Sequence, residues 1–462
     1  MNGRNYTYRV DPAGQIHSLI GEKWAATGSI LLDGVRSTSA LGPLARCERD
    51  LLRVMGSILA ADRLSPRRGI GLRRAVRDLS WQRTIHLRVA VEDPTRWAGM
   101  SSRLASLLYF MTDDTWELSF EAADRPALQE SLPHAEIERP TEIALFSGGL
   151  DSVAGTFVRS RARGGTFLAV SACGNDVRGR AQTAALQGLR GLGVNIQSLK
   201  LAHQLRDTNR SRNRMEASQR TRGLLFLAMG AVTASHLSLP TFSVYESGVG
   251  GINLPMSSAR VGAQGTKAMH PRTLALFDVL LLSVLDRSVR VVAPFFLHTK
   301  GELCREAGAA IATLAGLTMS CDEGEGHKPD SMEHCGVCTS CLFRRISLFS
   351  AVLRDDPTRY RDLVMRRHDN FEVRTFEGHA AQLLACDTFA DLVSISADAR
   401  FASQLPLESA MTRADAERQV VDLHHRYALE IGAFLENACP VLTSRPRQPR
   451  KENERDLFAA VG

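Results

Sequence analysis

The chain has 462 residues but no apolar run near the roughly 18 residues that a membrane span needs. The longest candidates, 224–234 and 274–285, are too short and read as buried helices. The first residues, MNGRNYTYRV, lack the apolar core of a secretory signal. Both absences lead us to expect a cytoplasmic protein with no membrane association. Lysine is scarce, with six among the 57 basic residues. A net charge of +7 is modest for this length, although the isoelectric point is near 9.0. That balance favours anionic ligands such as nucleotides, and it permits nucleic acid without demanding it. The nine cysteines do not form a secreted disulfide framework: four fall in one short stretch and five are scattered. This suits a reducing compartment and a metal. No internal repeat is visible. With 44% hydrophobic and 23% charged residues, the composition is that of a soluble globular protein, and the length implies two or three domains.

The rest of the chain is organised around residues 141–156, TEIALFSGGLDSVAGT. An apolar run, Ile143 to Phe146, has the length of a short buried strand. Ser147-Gly148-Gly149-Leu150-Asp151-Ser152 follows, and Val153 to Val158 then has helical periodicity. Strand, glycine turn and helix start together make an anion site. Glycines let backbone N–H groups approach a ligand closely, and a helix start adds unpaired N–H groups and the positive end of its dipole. Ser147 and Ser152 add hydroxyl donors. Asp151 would repel a bare phosphate, so it implies either a bound Mg²⁺ or a helix-capping role. No Gly-Lys-Ser/Thr closes the loop, which excludes a Walker A site.

Residues 1–139 read as an α+β accessory domain without a catalytic cluster. Glu48 to Asp62 has helical periodicity, Trp81 to Val91 alternates as a strand, Thr95 to Phe110 looks helical, and Trp116 to Phe120 is a second strand. Arg67, Arg68, Arg73, Arg74 and Arg77 form a basic patch, read first as a solvated face and second as a nucleic-acid or acidic-partner surface. Pro126 to Pro140 is the expected linker. From residue 140 strands alternate with helices, at Thr166 to Ser171, Ala181 to Leu192, Val194 to Leu199, Glu216 to Ala234, Thr241 to Tyr245 and Val289 to Ala293. The pattern predicts a parallel sheet covered on both faces, with ligands beyond the carboxyl ends of its strands. Adenine is expected at the end of the second of these strands, near Ser171 to Gly174. Around the same face, Arg220 and Arg222 open the long helix, Glu246 to Pro255 is a glycine-rich loop, and Lys300 starts a helix where it could reach a phosphate. Glu246 is read first as a solvated glutamate, with a base or a binder of an exocyclic amine as the alternative. Residues 346–443 read as a helical region, and 444–462 as a charged, Pro-rich disordered tail.

Cys335, Cys338 and Cys341 are each separated by two residues, and Cys321 lies thirteen residues upstream of the first. Four thiolates at this spacing close a tetrahedral zinc site, with Zn–S distances of ~2.3 Å and no open coordination position. Such a Zn²⁺ is structural. An iron–sulfur cluster is the alternative, with His327 and His334 as substitute ligands should one thiol stand free.

SGGLDS at 147–152 matches the SGGxDS pyrophosphate loop of the adenylating ATP pyrophosphatases. Together with Cys-Gly-Val-Cys-Thr-Ser-Cys-Leu-Phe-Arg-Arg at 335–345 it resembles the 7-cyano-7-deazaguanine synthase, or QueC, family. The resemblance covers roughly Ile143 to Arg345. It implies an adenine-nucleotide α-hydrolase-like Rossmannoid sheet over 140–345. It also implies ATP and Mg²⁺ as cofactors, with Ser147, Gly148, Gly149, Asp151 and Ser152 on the phosphates. Asp151, Lys300 and Arg222 are the expected catalytic residues, and Cys321, Cys335, Cys338 and Cys341 the zinc ligands. The implied chemistry is adenylation of 7-carboxy-7-deazaguanine, amide formation with ammonia, and dehydration to the nitrile with a second ATP. Family members usually lack the N-terminal 140 residues and the long helical C-terminal region, and carry Arg-Asn where this chain has Arg222-Gly223. The extended layout is similar to the QueC-like proteins of bacterial antiphage islands, such as the QatC component of the Qat system. That resemblance implies a protein partner in a defence complex and an amide formed on a protein amine. A tRNA-directed thiolase or lysidine-type enzyme and a non-catalytic nucleotide-binding scaffold are the other readings.

Overall fold

A computed structural model describes residues 4–32, 41–67, 82–123, 137–173, 177–207, 215–216, 218–256, 266–321, 333–351, 358–361 and 371–438. The basic-patch residues Arg68, Arg73, Arg74 and Arg77, most of the expected linker, His327 and the C-terminal tail lie outside them. The chain opens with β1 (Arg4–Val10), β2 (Gln15–Ile20) and β3 (Lys23–Leu32), followed by α1 (Arg46–Leu64) and β4 (Arg83–Val91). The predicted helix over 95–110 is two helices, α2 (Pro94–Ala98) and α3 (Ser101–Thr112), because Gly99 and Met100 close the first turn onto Thr95 and Trp97. β5 (Thr115–Ala122) completes this part.

The alternating pattern follows as expected. β6 (Glu142–Leu145) leads into α4 (Leu150–Arg163), then β7 (Phe167–Cys173), α5 (Val177–Gly191) and β8 (Ile196–Asp207). α6 (Arg222–His236) and β9 (Thr241–Val244) come next, then α7 (Gly248–Ile252), α8 (Pro271–Val284) and β10 (Arg290–Val292). The helix expected from Glu216 begins only at Arg222. Gln219 takes a positive φ of 45°, and the Glu216 carboxylate accepts from the backbone N–H groups of Arg67 and Ser218, so neither residue can continue the helix. α9 (Lys300–Glu306), α10 (Ala310–Ala315) and α11 (Thr339–Ser350) lead to the helical region predicted at the C-terminus: α12 (Phe371–Leu384), α13 (Phe389–Ile395) and α14 (Arg413–Ala438).

The ten strands form one sheet in the order β10-β9-β6-β7-β8-β3-β2-β1-β4-β5. β10, β9, β6, β7 and β8 are mutually parallel, as the alternation requires. The first three strands form an antiparallel meander, and β3 joins it antiparallel to β8. Residues 1–139, expected as an accessory unit, therefore extend the central sheet. They also share its core: Leu51, Met55 and Ile58 of α1 belong to one buried cluster with Leu224, Leu227 and Ala228 of α6 and Phe277 of α8. Close approach at the join depends on Gly28, where a Cβ would fall 2.6 Å from the Arg206 carbonyl oxygen. A second cluster packs α14 against α11, α12 and the loop after β9.

Charge reinforces the first core. Arg83 bridges the carboxylates of Asp62 and Asp114 at 2.6 Å each, and Arg67 holds Asp114 at 2.7 Å, all deeply buried. Arg67 therefore does not belong to a solvated basic face: its guanidinium is spent on an internal ion pair. Arg220 is likewise turned away from the ligand face, toward the Thr112 carbonyl and Asp113.

Candidate active site

The carboxyl ends of β6, β7 and β9 open onto a cavity of about 520 Å³. Its lining includes Ser147, Gly149, Asp151 and Ser152 of the glycine loop, Ser171 and Ala172 at the end of β7, Arg222, Glu246 and Lys300. Residues called from separate stretches of sequence thus meet around one space. Gly148 shapes the loop without lining the cavity. Its φ of 75° is a left-handed conformation, and a Cβ there would fall 2.9 Å from the Gln182 backbone nitrogen. Inside the loop, the Ser147 hydroxyl accepts from Gly149 N–H at 3.2 Å, and Ser152 donates to the Gly149 carbonyl at 3.0 Å.

Asp151 sits in the first turn of α4, but its carboxylate does not cap that helix. One oxygen accepts from Ser247 at 3.4 Å, and the other lies 3.3 Å from Lys300 Nζ. That second oxygen is buried and takes no hydrogen bond among the described residues. Lys300 is the first residue of α9, whose N-cap Thr299 forms a reciprocal capping box with Glu302. Thr299 also donates to Glu430 of α14 at 2.6 Å, so the C-terminal helix braces the turn that presents the lysine. The ammonium lies 4.5 Å from the centroid of the Phe343 ring.

Glu246 is a correction to the sequence reading: it lines the cavity and is not a solvated glutamate. Burial and the adjacent Asp151 charge raise its carboxyl to about 8, against the opposing pull of Lys300. It follows β9, which is fixed by the buried Glu142 carboxylate. That group accepts from Ser243 and Tyr245 of this segment and from Arg159 of α4. Gln182 and His203 were missed. Gln182 is buried on α5, on the cavity wall, and its Oε1 has no hydrogen-bond partner among the described residues. The sequence marked α5 only as a helix.

The four thiol sulfurs of Cys321, Cys335, Cys338 and Cys341 lie within 4.8 Å of one another. A tetrahedral Zn–S distance of ~2.3 Å requires sulfur separations of about 3.8 Å, and Cys335 and Cys341 stand at 3.8 Å. Backbone N–H groups of Cys335 and Cys338 point at the Cys321 and Cys335 sulfurs, at 3.4 and 3.3 Å, as thiolates require. This cluster could hold zinc. His334 is not needed as a substitute ligand: its Nε2 accepts from Ser320 N–H at 3.1 Å. Cys338 caps α11 and Cys341 lies in its first turn, so a metal here ties α11 to the residues after α10. Met319 and Ser320, just before Cys321, line the cavity.

A glycine loop at the end of a parallel strand, faced by a lysine and flanked by a cluster of four cysteines, defines an α/β protein with a cavity suited to an anionic ligand. Comparison with known proteins narrows this class. The family model described as "Queuosine biosynthesis protein QueC" matches residues 270–351. A curated relative, the 7-cyano-7-deazaguanine synthase of Methanothermobacter thermautotrophicus, is 43% identical over 90 residues, 19% of this chain and 36% of the relative. The chain thus spans about a third of the length of the curated relative it matches. No solved structure matches the chain significantly. The family-matched segment carries Lys300 and the four cysteines, so both lie in the part of the chain that is similar to the QueC family. Among the described residues no helix is long and apolar enough to cross a membrane.

Proposed function

We propose that the chain is an adenylating ligase that uses ATP to activate a 7-deazaguanine carboxylate, 7-carboxy-7-deazaguanine, and then transfers it to an amine. One observation carries the reading. Lys300, within the family-matched segment, lies 3.3 Å from Asp151 of the SGGLDS loop, which lies outside that segment. The two independent sequence signals meet in one cavity.

In this reading the loop N–H groups, Ser147 and Ser152 hold the β,γ-phosphates of ATP, and the end of β7 receives adenine. Gln182 Oε1, which accepts no hydrogen bond among the described residues, offers an acceptor on the same wall. The substrate carboxylate is already a nucleophile. Its oxygen attacks the α-phosphorus, the bond to the bridging oxygen breaks, and pyrophosphate leaves. Catalysis comes from in-line positioning and from charge neutralisation by Lys300 and the loop donors. Asp151 would supply a hard oxygen ligand of the kind Mg²⁺ takes, and its buried oxygen without a hydrogen bond among the described residues fits that use. The ion, when bound, neutralises the leaving pyrophosphate. In the second half the amine nitrogen attacks the acyl carbon, the C–O bond to AMP breaks, and the proton from nitrogen passes to Glu246, whose raised pKa suits the exchange near neutrality. Arg222 also lines the cavity, as a second cation for the substrate.

With ammonia the product is an amide, and a second ATP dehydrates it to the nitrile. With a protein amine the product is a conjugate, and we extend the proposal to that outcome within an antiphage defence system. The support is the pair of added regions that embrace the site: α14 braces Lys300 through Glu430, and residues 1–139 extend the sheet. The test is mass spectrometry of products from the protein with ATP, Mg²⁺ and 7-carboxy-7-deazaguanine, with and without ammonia or protein acceptors. AMP and pyrophosphate with a deazaguanine amide or nitrile, or a matching mass shift on a protein, support the reading. Absence of substrate-dependent AMP from folded, zinc-loaded protein defeats it.

A further inference from the structure

β8 changes partner along its length. Ile196 to Ala202 pairs with β7, whereas His203 to Asp207 pairs with β3 of the N-terminal meander. His203 is the first residue past the switch, opposite Leu32, and it lines the cavity. Its ring meets that of Phe226 on α6 edge-on, with centroids 5.9 Å apart and planes at 82°. The Arg222 guanidinium lies 5.0 Å from the same phenyl centroid. An imidazole, a phenyl ring and a guanidinium in contact make a wall that is both aromatic and cationic. Such a wall stacks a flat heterocycle and favours one that carries negative charge.

We infer that His203 and Phe226, with Arg222 beside them, form the specificity-determining seat for a planar heteroaromatic carboxylate. The glycine loop and Lys300 are then left to the nucleotide phosphates. This deepens the proposed function and rests on it.

The same contacts give residues 1–139 a task. β3 holds the His203 side of the wall through the β-ladder. The Arg222 side is held by Asp62 of α1, whose carboxylate accepts from the Thr221 backbone N–H at 3.2 Å and from its hydroxyl at 3.0 Å. Thr221 immediately precedes Arg222 and caps α6. Asp62 is in turn fixed by Arg83. Thr221 is therefore a positioning residue, outside the cavity, for a wall that the N-terminal region builds from both sides.

The test is equilibrium binding to the full chain by calorimetry, with 7-carboxy-7-deazaguanine and α,β-methylene-ATP titrated separately. His203→Ala and Phe226→Leu should each weaken the deazaguanine acid about tenfold and leave the nucleotide within roughly twofold. Phe226→Tyr keeps the aromatic face and should retain the acid, which separates stacking from a folding defect. Thr221→Val should weaken the acid alone, and by less. Loss of nucleotide binding in place of acid binding, or no change in either, overturns the inference and leaves the proposed function standing. A wild-type protein that binds the nucleotide but not the acid defeats the proposed substrate itself, and this seat with it.

Discussion

Adjacent glycines of the anion loop should respond very unequally to the same substitution. Gly148 has φ 75°, and an added Cβ would fall 2.9 Å from Gln182 Cγ and its backbone nitrogen and 3.0 Å from its Cα. Two of those atoms are backbone of α5, so the helix or the loop must move. Holding an L-residue in the left-handed region costs roughly 1–2 kcal/mol, and overpacking against fixed atoms roughly 1–3 kcal/mol. Reduced freedom of the unfolded chain returns about 0.4–1 kcal/mol. Gly148→Ala should therefore lose about 1–4.5 kcal/mol in denaturant unfolding, with the centre of that range near 3. It should also weaken α,β-methylene-ATP, because the displaced loop carries the phosphate donors. Gly149 has φ −84°, and its Cβ would meet only the Ser147 hydroxyl at 3.3 Å and the Met319 carbonyl at 3.8 Å. Gly149→Ala should stay within about 1 kcal/mol of wild type. The reasoning fails if Gly148→Ala unfolds with the wild-type midpoint and binds nucleotide normally, or if Gly149→Ala is the less stable of the two.

Lys300→Met keeps the aliphatic stem beside Phe343 and removes the charge facing Asp151. AMP formation should fall by at least about a hundredfold with the fold intact, and a variant with near-normal turnover would remove Lys300 from the mechanism. Cys338→Ser should lose bound zinc, measured by elemental analysis, and unfold more readily, since metal binding and folding are coupled; a stable, metal-free variant would refute a structural zinc. Glu246 carries a pH signature. With its carboxyl raised from 4.5 to about 8, the folded state keeps a proton that the unfolded chain has released across that window. Its contribution to stability is complete below the unfolded value and shrinks as pH rises toward 8, by up to about 1.4 kcal/mol per pH unit. Glu246→Gln removes that slope, so in Mg²⁺-free buffer, with the zinc left in place, the stability of the variant relative to wild type should grow with pH. Parallel curves would refute the shifted carboxyl. Arg83→Met leaves Asp62 without its ion-pair partner and takes one of two cations from Asp114; a loss of about 3–5 kcal/mol is expected in urea unfolding, and a near-neutral change would mean that the cluster is not load-sharing.

What could be read in the sequence divides along a physical line. The glycine loop, the four cysteines and the parallel strands declare themselves within a few residues, because backbone conformation, metal spacing and hydrophobic run length are local properties. Lys300 was visible as a helix-starting cation after a strand, and the structure brings it to Asp151. Glu246 was legible only as the residue after a strand. Its raised pKa comes first from burial by the folded chain and then from Asp151, distant in sequence. Arg67 was counted in a basic patch because its neighbours in sequence are arginines, whereas its partner, Asp114, comes from a turn nearly fifty residues on.

β8 joins the two kinds of information. Its last residues carried a local signal, since Leu199, Leu201, His203 and Leu205 alternate along one strand, and that period extends the strand beyond the six residues first assigned. What no local pattern contains is the exchange of partners at His203, from a parallel neighbour to an antiparallel one. A strand paired on one side by β7 and continued by β3 stays extended past the point where a shorter sheet would release it into a loop. That continuation holds the His203 ring against Phe226 at the cavity wall. The added N-terminal strands thus act on the site through the sheet itself, by prolonging one strand of the parallel half into a wall of the cavity.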